Sequence, residues 1–105
     1  MVLINIKNDL GNYYTNKDGE KLLDIIVDNF KKGNVVEISF QDIDSINSSF
    51  VNSAFVSLLD LYSFDLIRKN LSFVNTNKQI NSLIINRFKF ELEKKRNKEQ
   101  IFTNA

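Results

Sequence analysis

The chain has 105 residues, 43% of them hydrophobic and 26% charged, with a formal net charge of +1. That length fits one domain with a modest core, and the near-neutral charge excludes a strong overall pull toward nucleic acid or acidic partners. There is no cysteine and no histidine, which excludes a disulfide framework, thiolate chemistry and zinc clusters, and removes the commonest general base near neutral pH.

The opening M-V-L-I-N-I-K has no basic region before its apolar run, and the run is too short for a signal sequence. No stretch approaches the roughly 18–20 apolar residues that span a bilayer. A cytoplasmic protein without membrane association is expected. The sequence is rich in Asn, Lys and Ile and lacks Pro, which reads as a bias of the source genome.

Val2–Lys7 predicts a first strand. Asn8–Asp18 is a turn-rich loop with room for a short extra strand near Leu10–Thr15; its Tyr13 and Tyr14 fit a loop clamped onto the core. Asn16 or Asp18 can cap a helix running to about Lys32, with Leu22, Leu23, Ile26, Val27 and Phe30 on one face. Lys31 and Lys32 suit its last turn, and Gly33 suits the position just past its end. Val35–Phe40 is a short apolar, β-branched run and predicts a buried strand.

After the loop 41–47, Val51, Ala54, Phe55, Leu58, Leu59, Tyr62 and Leu66 fall on one face at 3.6 residues per turn. This predicts one long helix from the serine pair Ser48-Ser49 to about Arg68-Lys69. Leu71–Val74 predicts a third strand. Asn75-Thr76-Asn77 offers a cap for a last helix bearing Ile80, Leu83, Ile84, Phe88 and Leu92. From about residue 93 a basic, solvated helix end is expected, with Thr103-Asn104-Ala105 as a frayed tail. Strands alternating with helices imply parallel βαβ crossovers. The expected fold is a single α/β domain over 1–105: a small two-layer sandwich of three to four mostly parallel strands with about three helices.

Chemistry concentrates at the central strand–loop–helix unit. A serine at a helix start can cap the first turn, which is the preferred use on the residues alone, or carry a phosphate. Between Lys32 and Arg68 there is no Lys or Arg, while Glu37, Asp42, Asp44, Asp60 and Asp65 are acidic. That unit is therefore locally acidic, and segment 87–105 is basic. The Asp42 and Asp44 pair lacks a third ligand, so no metal is expected. The lysines at 94–98 are interleaved with Glu93 and Glu99 and read as a solvated face, with no nucleic acid implied. No phosphate-binding loop, dinucleotide fingerprint or nucleophile elbow is present. No nucleophile–base pair can be assembled, so neither catalysis nor a cofactor is expected.

The run V-V-E-I-S-F, then D-I-D-S-I-N-S-S-F-V-N-S-A-F, then L-S-F-V and a last helix resembles the STAS fold of bacterial anti-sigma factor antagonists. It is closer still to a STAS-like group described as a domain of unknown function. The resemblance implies a regulatory module that binds a histidine-kinase-type ATPase or an anti-sigma factor. In that family a serine at this helix start is phosphorylated, and the unphosphorylated form holds the partner. Asn47-Ser48-Ser49 corresponds to the family's Asp-Ser-Ser, making Ser48 the first phosphorylation candidate and Ser49 the second. Asp42, Asp44, Asn47, Phe50 and Asn52 are the candidate partner contacts. Asn47 replaces the acid, and Phe50, Val51 and Asn52 stand where glycines usually follow. Two other readings stand beside this one: a small-ligand or nucleotide-binding domain, and a self-associating subunit using the Tyr62 and Phe64 side.

Overall fold

Three short apolar runs form one parallel sheet in the computed structural model, which describes residues 1–103, with side chains through Arg96. The strands are β1 (Val2–Asn5), β2 (Val36–Ser39) and β3 (Leu71–Val74), in the order β1-β2-β3. Val2 and Ile4 pair with Val36 and Ile38, which pair in turn with Leu71 and Phe73. Both crossovers step the same way across the sheet. Right-handed connections of that kind place their helices on one face. Burial follows: Ile4, Val36, Ile38 and Leu71 are buried on that face, whereas Leu3 is 60% exposed on the other.

Five helices accompany the sheet among the described residues: α1 (Ile6–Asp9), α2 (Asn16–Lys31), α3 (Ser48–Ala54), α4 (Phe64–Asn70) and α5 (Lys78–Thr103). The α/β two-layer expectation is met with three strands. The extra strand near Leu10–Thr15 does not form. Asn5 instead caps α1, accepting from Asn8 N at 3.1 Å while its own N–H donates to Asp9 Oδ2 at 2.8 Å. The chain then turns before α2, whose cap is Thr15 rather than Asn16 or Asp18. Thr15 Oγ1 accepts from Asp18 N at 3.1 Å, and Asp18 Oδ2 accepts from Thr15 N at 3.1 Å and Tyr14 N at 3.0 Å. This is a reciprocal capping box. Gly33 ends the helix region at φ 78°, the left-handed conformation that glycine adopts most readily.

The long helix expected over 48–69 is broken, and this is the main correction. It is divided into α3, a 3-10 turn at Val56–Asp60, and α4, with a bend of 120° before α4. The breaking groups are local. The Ser57 hydroxyl donates to the Asn52 carbonyl at 2.9 Å, competing with the helix ladder. Ser63 then starts a new helix by accepting from Leu66 N at 3.2 Å, with Asp65 in its first turn. The Leu59 carbonyl, released from a regular ladder, accepts from Lys95 Nζ at 2.9 Å. The break shifts the buried phase by one residue: Ile67 is buried, and Leu66, on the expected face, is 39% exposed.

The core closes around phenylalanines. Phe55 meets Phe73 edge-on at 5.0 Å and Phe50 at 6.2 Å, and Phe40 lies 6.3 Å away. Such pairs add about 0.5–1.5 kcal/mol each beyond area burial. On the far side, Phe30 of α2 meets Tyr62 at 5.3 Å. The helix α5 continues through Thr103 and is tied to the body as far out as Lys95, which also approaches Asp60 at 3.6 Å. Of the expected tail Thr103-Asn104-Ala105, Thr103 is the last residue of α5 and the other two lie outside the described residues.

Gly19 sets the distance between α2 and α3. A Cβ there would lie 2.6 Å from Ser53 Cβ and 2.9 Å from the Phe50 carbonyl oxygen. Both are closer than real carbon contacts allow, and one is backbone. Gly19→Ala is therefore expected to lower unfolding free energy by about 1–3 kcal/mol through overpacking, despite alanine's better helix propensity. Urea denaturation of the two proteins measures it.

The capping box adds a pH dependence. Hydrogen bonds from Tyr14 N and then Thr15 N hold the Asp18 carboxyl below the usual carboxylate range. The unfolded chain thus takes up this proton at a higher pH than the folded one. The contribution is complete above the ordinary carboxylate value, about pH 4, and is lost as pH falls through the lowered folded value. In melting curves recorded from pH 7 to pH 2, Asp18→Asn should melt lower at neutral pH and show a shallower decline in acid.

Candidate functional site

The C-terminal ends of parallel strands are where an open α/β sheet presents its loops, and the sequence-predicted site residues gather there. At the end of β2, Gln41-Asp42 makes a turn in which Ile43 N donates to the Phe40 carbonyl at 3.0 Å. Asp42 takes φ 63°, a left-handed conformation that Asp tolerates better than most residues. At the end of β3, Asn75 does the same at φ 55°.

These ends are bound together by amide side chains. Ser39 is a polar residue buried in the core, 2% exposed. Its hydroxyl oxygen accepts from Asn75 Nδ2 at 2.9 Å and from Gln41 N at 3.3 Å, linking the two strand ends. Asn77 caps α5 by accepting from Ile80 N at 2.9 Å, and its Nδ2 donates to the Asp44 carbonyl at 2.7 Å. Gln79 grips the Ile46 backbone twice: Nε2 donates to its carbonyl at 3.1 Å, and Oε1 accepts from its N–H at 3.3 Å. Ile43 and Ile46 are buried beneath, so the loop has an apolar anchor as well.

Asn47 fastens the loop to the tyrosine segment. Its Oδ1 accepts from Phe50 N at 2.9 Å, capping α3, while its Nδ2 donates to the Tyr14 carbonyl at 2.8 Å. An aspartate could make the first bond but has no donor for the second. This explains the amide at that position. Tyr13 and Tyr14 stack at 4.5 Å beside it. Contact with the Tyr14 hydroxyl, then burial, raises the Tyr13 phenol above its usual value, and the charges of Tyr14 and Asp44 push the same way.

The serines therefore do not cap α3. Ser48 and Ser49 occupy its first two positions, both are exposed, and neither hydroxyl has a hydrogen-bond partner among the described residues. Asp42 and Asp44 are exposed on the loop that leads into this helix. Phe50 is corrected more sharply. It is fully buried against Phe55, because the first turn of α3 points it into the core, and so it offers no surface contact. Asn52 is half-buried, with Oδ1 accepting from Arg87 Nε at 2.9 Å. The accessible set is thus Asp42, Asp44, Asn47, Ser48 and Ser49.

Among the described residues no three His, Cys, Asp or Glu side chains gather to hold a metal ion. No single helix among them is long and apolar enough to cross a membrane. Sequence reasoning missed Gln79, Asn75 and Tyr14 as the ties that fix the loop. The cap was also misassigned to the serines; the signal for Asn47 is its residue type, since asparagine is as strong a capping residue as serine.

The cap assignment makes a stability test. Asn47→Ala should cost about 0.5–2 kcal/mol, with loss of the Tyr14 tie placing it in the upper part of that range. Ser48→Ala and Ser49→Ala should each stay within about 0.5 kcal/mol of wild type, as exposed positions without partners do. Guanidinium melts of the three variants distinguish this pattern from one in which a serine is the cap.

Comparison with known proteins bears on the whole unit from α2 to the start of α5. No curated protein and no solved structure matches the chain. A family model does match, that of the STAS-like domain of unknown function (DUF4325), over residues 18–81. The match spans more than half of the chain and takes in Gly19, the three central helical segments, β2, β3 and the loop 41–47. The chain belongs to this family of STAS-like domains.

Proposed function

We propose that this protein is a non-catalytic, cytoplasmic regulatory module. It holds a protein partner through the loop 41–47 and the first turn of α3, under the control of phosphorylation at Ser48 or, second, at Ser49. The observation that carries the reading is the state of the two serines. They are exposed and uncommitted, on a surface whose backbone is pinned by Ser39, Asn47, Asn75, Asn77 and Gln79. A pinned surface loses little entropy on binding. A hydroxyl with no role in the fold can be modified without unfolding it.

Phosphorylation adds about −1.5 to −2 charges. On this surface it would join Asp42 and Asp44, where Lys7 Nζ, 3.5 Å from the Asp42 carbonyl, is a cation beside the acids. A doubly charged group in a contact fitted to a hydroxyl carries a large desolvation cost. The modified form is accordingly the released form. The resemblance to anti-sigma factor antagonists supports a histidine-kinase-type ATPase or an anti-sigma factor as the partner. The strand order supports protein recognition over nucleotide binding, because both crossovers run the same way and leave no reversal at which a crevice opens.

The test is affinity capture from host lysate with wild type, Ser48→Asp and Ser49→Asp, followed by mass spectrometry. Circular dichroism verifies that each variant is folded. Wild type should retain an ATPase or kinase that one aspartate variant loses, and that variant names the switch residue. Recovery of the same proteins by all three, or of none, overturns the reading.

A further inference from the structure

A second surface lies away from the serines, along the outer side of β3. Two confluent grooves of about 360 and 320 Å³ share Phe64, Ile85 and Phe88. Leu71 and Phe73 of the edge strand and Ile67 of α4 line the first groove, and Leu92 extends the second along α5. On the α5 side the lining residues Asn81, Ile85, Phe88, Leu92 and Arg96 recur at i, i+4, i+7, i+11 and i+15, one continuous helical face. At 1.5 Å per residue that face is about 22 Å long, four turns of helix. Ile85 is 63% exposed and Phe64 37% exposed, so large apolar side chains stand open to solvent there.

The shape and charge of this groove select its occupant. It is long and open along its length, which suits a helix laid into it better than an enclosed small molecule. Its charged rim consists of Arg68, Lys89 and Arg96 against Glu93, an excess of cations. Arg68 is partly offset by Asp65 at 3.4 Å, an exposed pair of little strength. A second copy would bring the same cation-rich rim against itself, which like-charge repulsion disfavours. We propose that the α4–α5 groove is a docking site for an amphipathic helix with acidic flanks, supplied by a protein partner.

The probe is a fluorescent 16-residue model helix with leucines at i, i+3, i+4 and i+7 and glutamates on its flanks. Its counterpart has lysines in place of the glutamates. Anisotropy titrations at low salt should show saturable binding of the acidic helix to the full chain, at least tenfold tighter than the basic one. Ile85→Asp, at an exposed position, should weaken binding at least tenfold without changing the melting temperature. The double variant Lys89→Glu with Arg96→Glu should reverse the preference between the two helices. Equal binding of both helices, or binding of neither, overturns the proposal. So does a concentration-dependent mass in sedimentation that Ile85→Asp abolishes, which would assign the groove to a second copy.

Discussion

The approach of α2 to α3 at Gly19 is the contact on which the site's geometry depends. With no Cβ at this position, the first turn of α2 lies against the backbone of α3 at Phe50 and beside Ser53. That seating brings Thr15 and Tyr14, just ahead of α2, level with Asn47, just ahead of α3. The Asn47 amide can then span the two helix starts. It also aims Phe50 inward to close the aromatic core, while Ser48 and Ser49 stay on the outside of the same turn. Core packing and surface presentation are thus two results of one close approach.

The rim at the strand ends shows how a small parallel sheet stiffens its loops without disulfide or proline. Asn47, Asn77 and Gln79 side chains there bond to backbone groups of segments distant in sequence, and Asn75 reaches across to the Ser39 hydroxyl. An amide can donate and accept at once, so one side chain can satisfy two backbone groups where a carboxylate satisfies one kind. The abundance of asparagine, which resembles a compositional bias, also supplies the caps of α1, α3 and α5.

Much of the architecture was legible because it rests on local signals. The three apolar runs became strands within two residues of the expected bounds, and Leu71–Val74 matched at both ends. Gly33 ended the α2 region as its backbone freedom suggests. The long central helix was misread because apolar spacing records which side chains are buried, not whether the backbone ladder between them is continuous. Val56, off the expected face, and Ile67, one step beyond Leu66, are both buried. In one continuous helix both would lie off the apolar stripe, and Ser57 and Ser63 are the residues whose hydroxyls allow the break. The site was half legible. Its location and exposed acids followed from the loop and the serines, but the division of labour between Asn47 and the serines depended on Tyr14, 33 residues away. No local pattern encodes that partner.

The strand order has a consequence for how the chain assembles during synthesis. Because β1, β2 and β3 lie side by side in the order in which they occur, no strand has to insert between two already placed. Each new strand adds to the current edge as it emerges, after residues 6–35 and then 40–70 have supplied the helices that cover it. A nascent β1-α2-β2 unit can form its hydrogen bonds before β3 has been made, so the sheet can grow in step with translation.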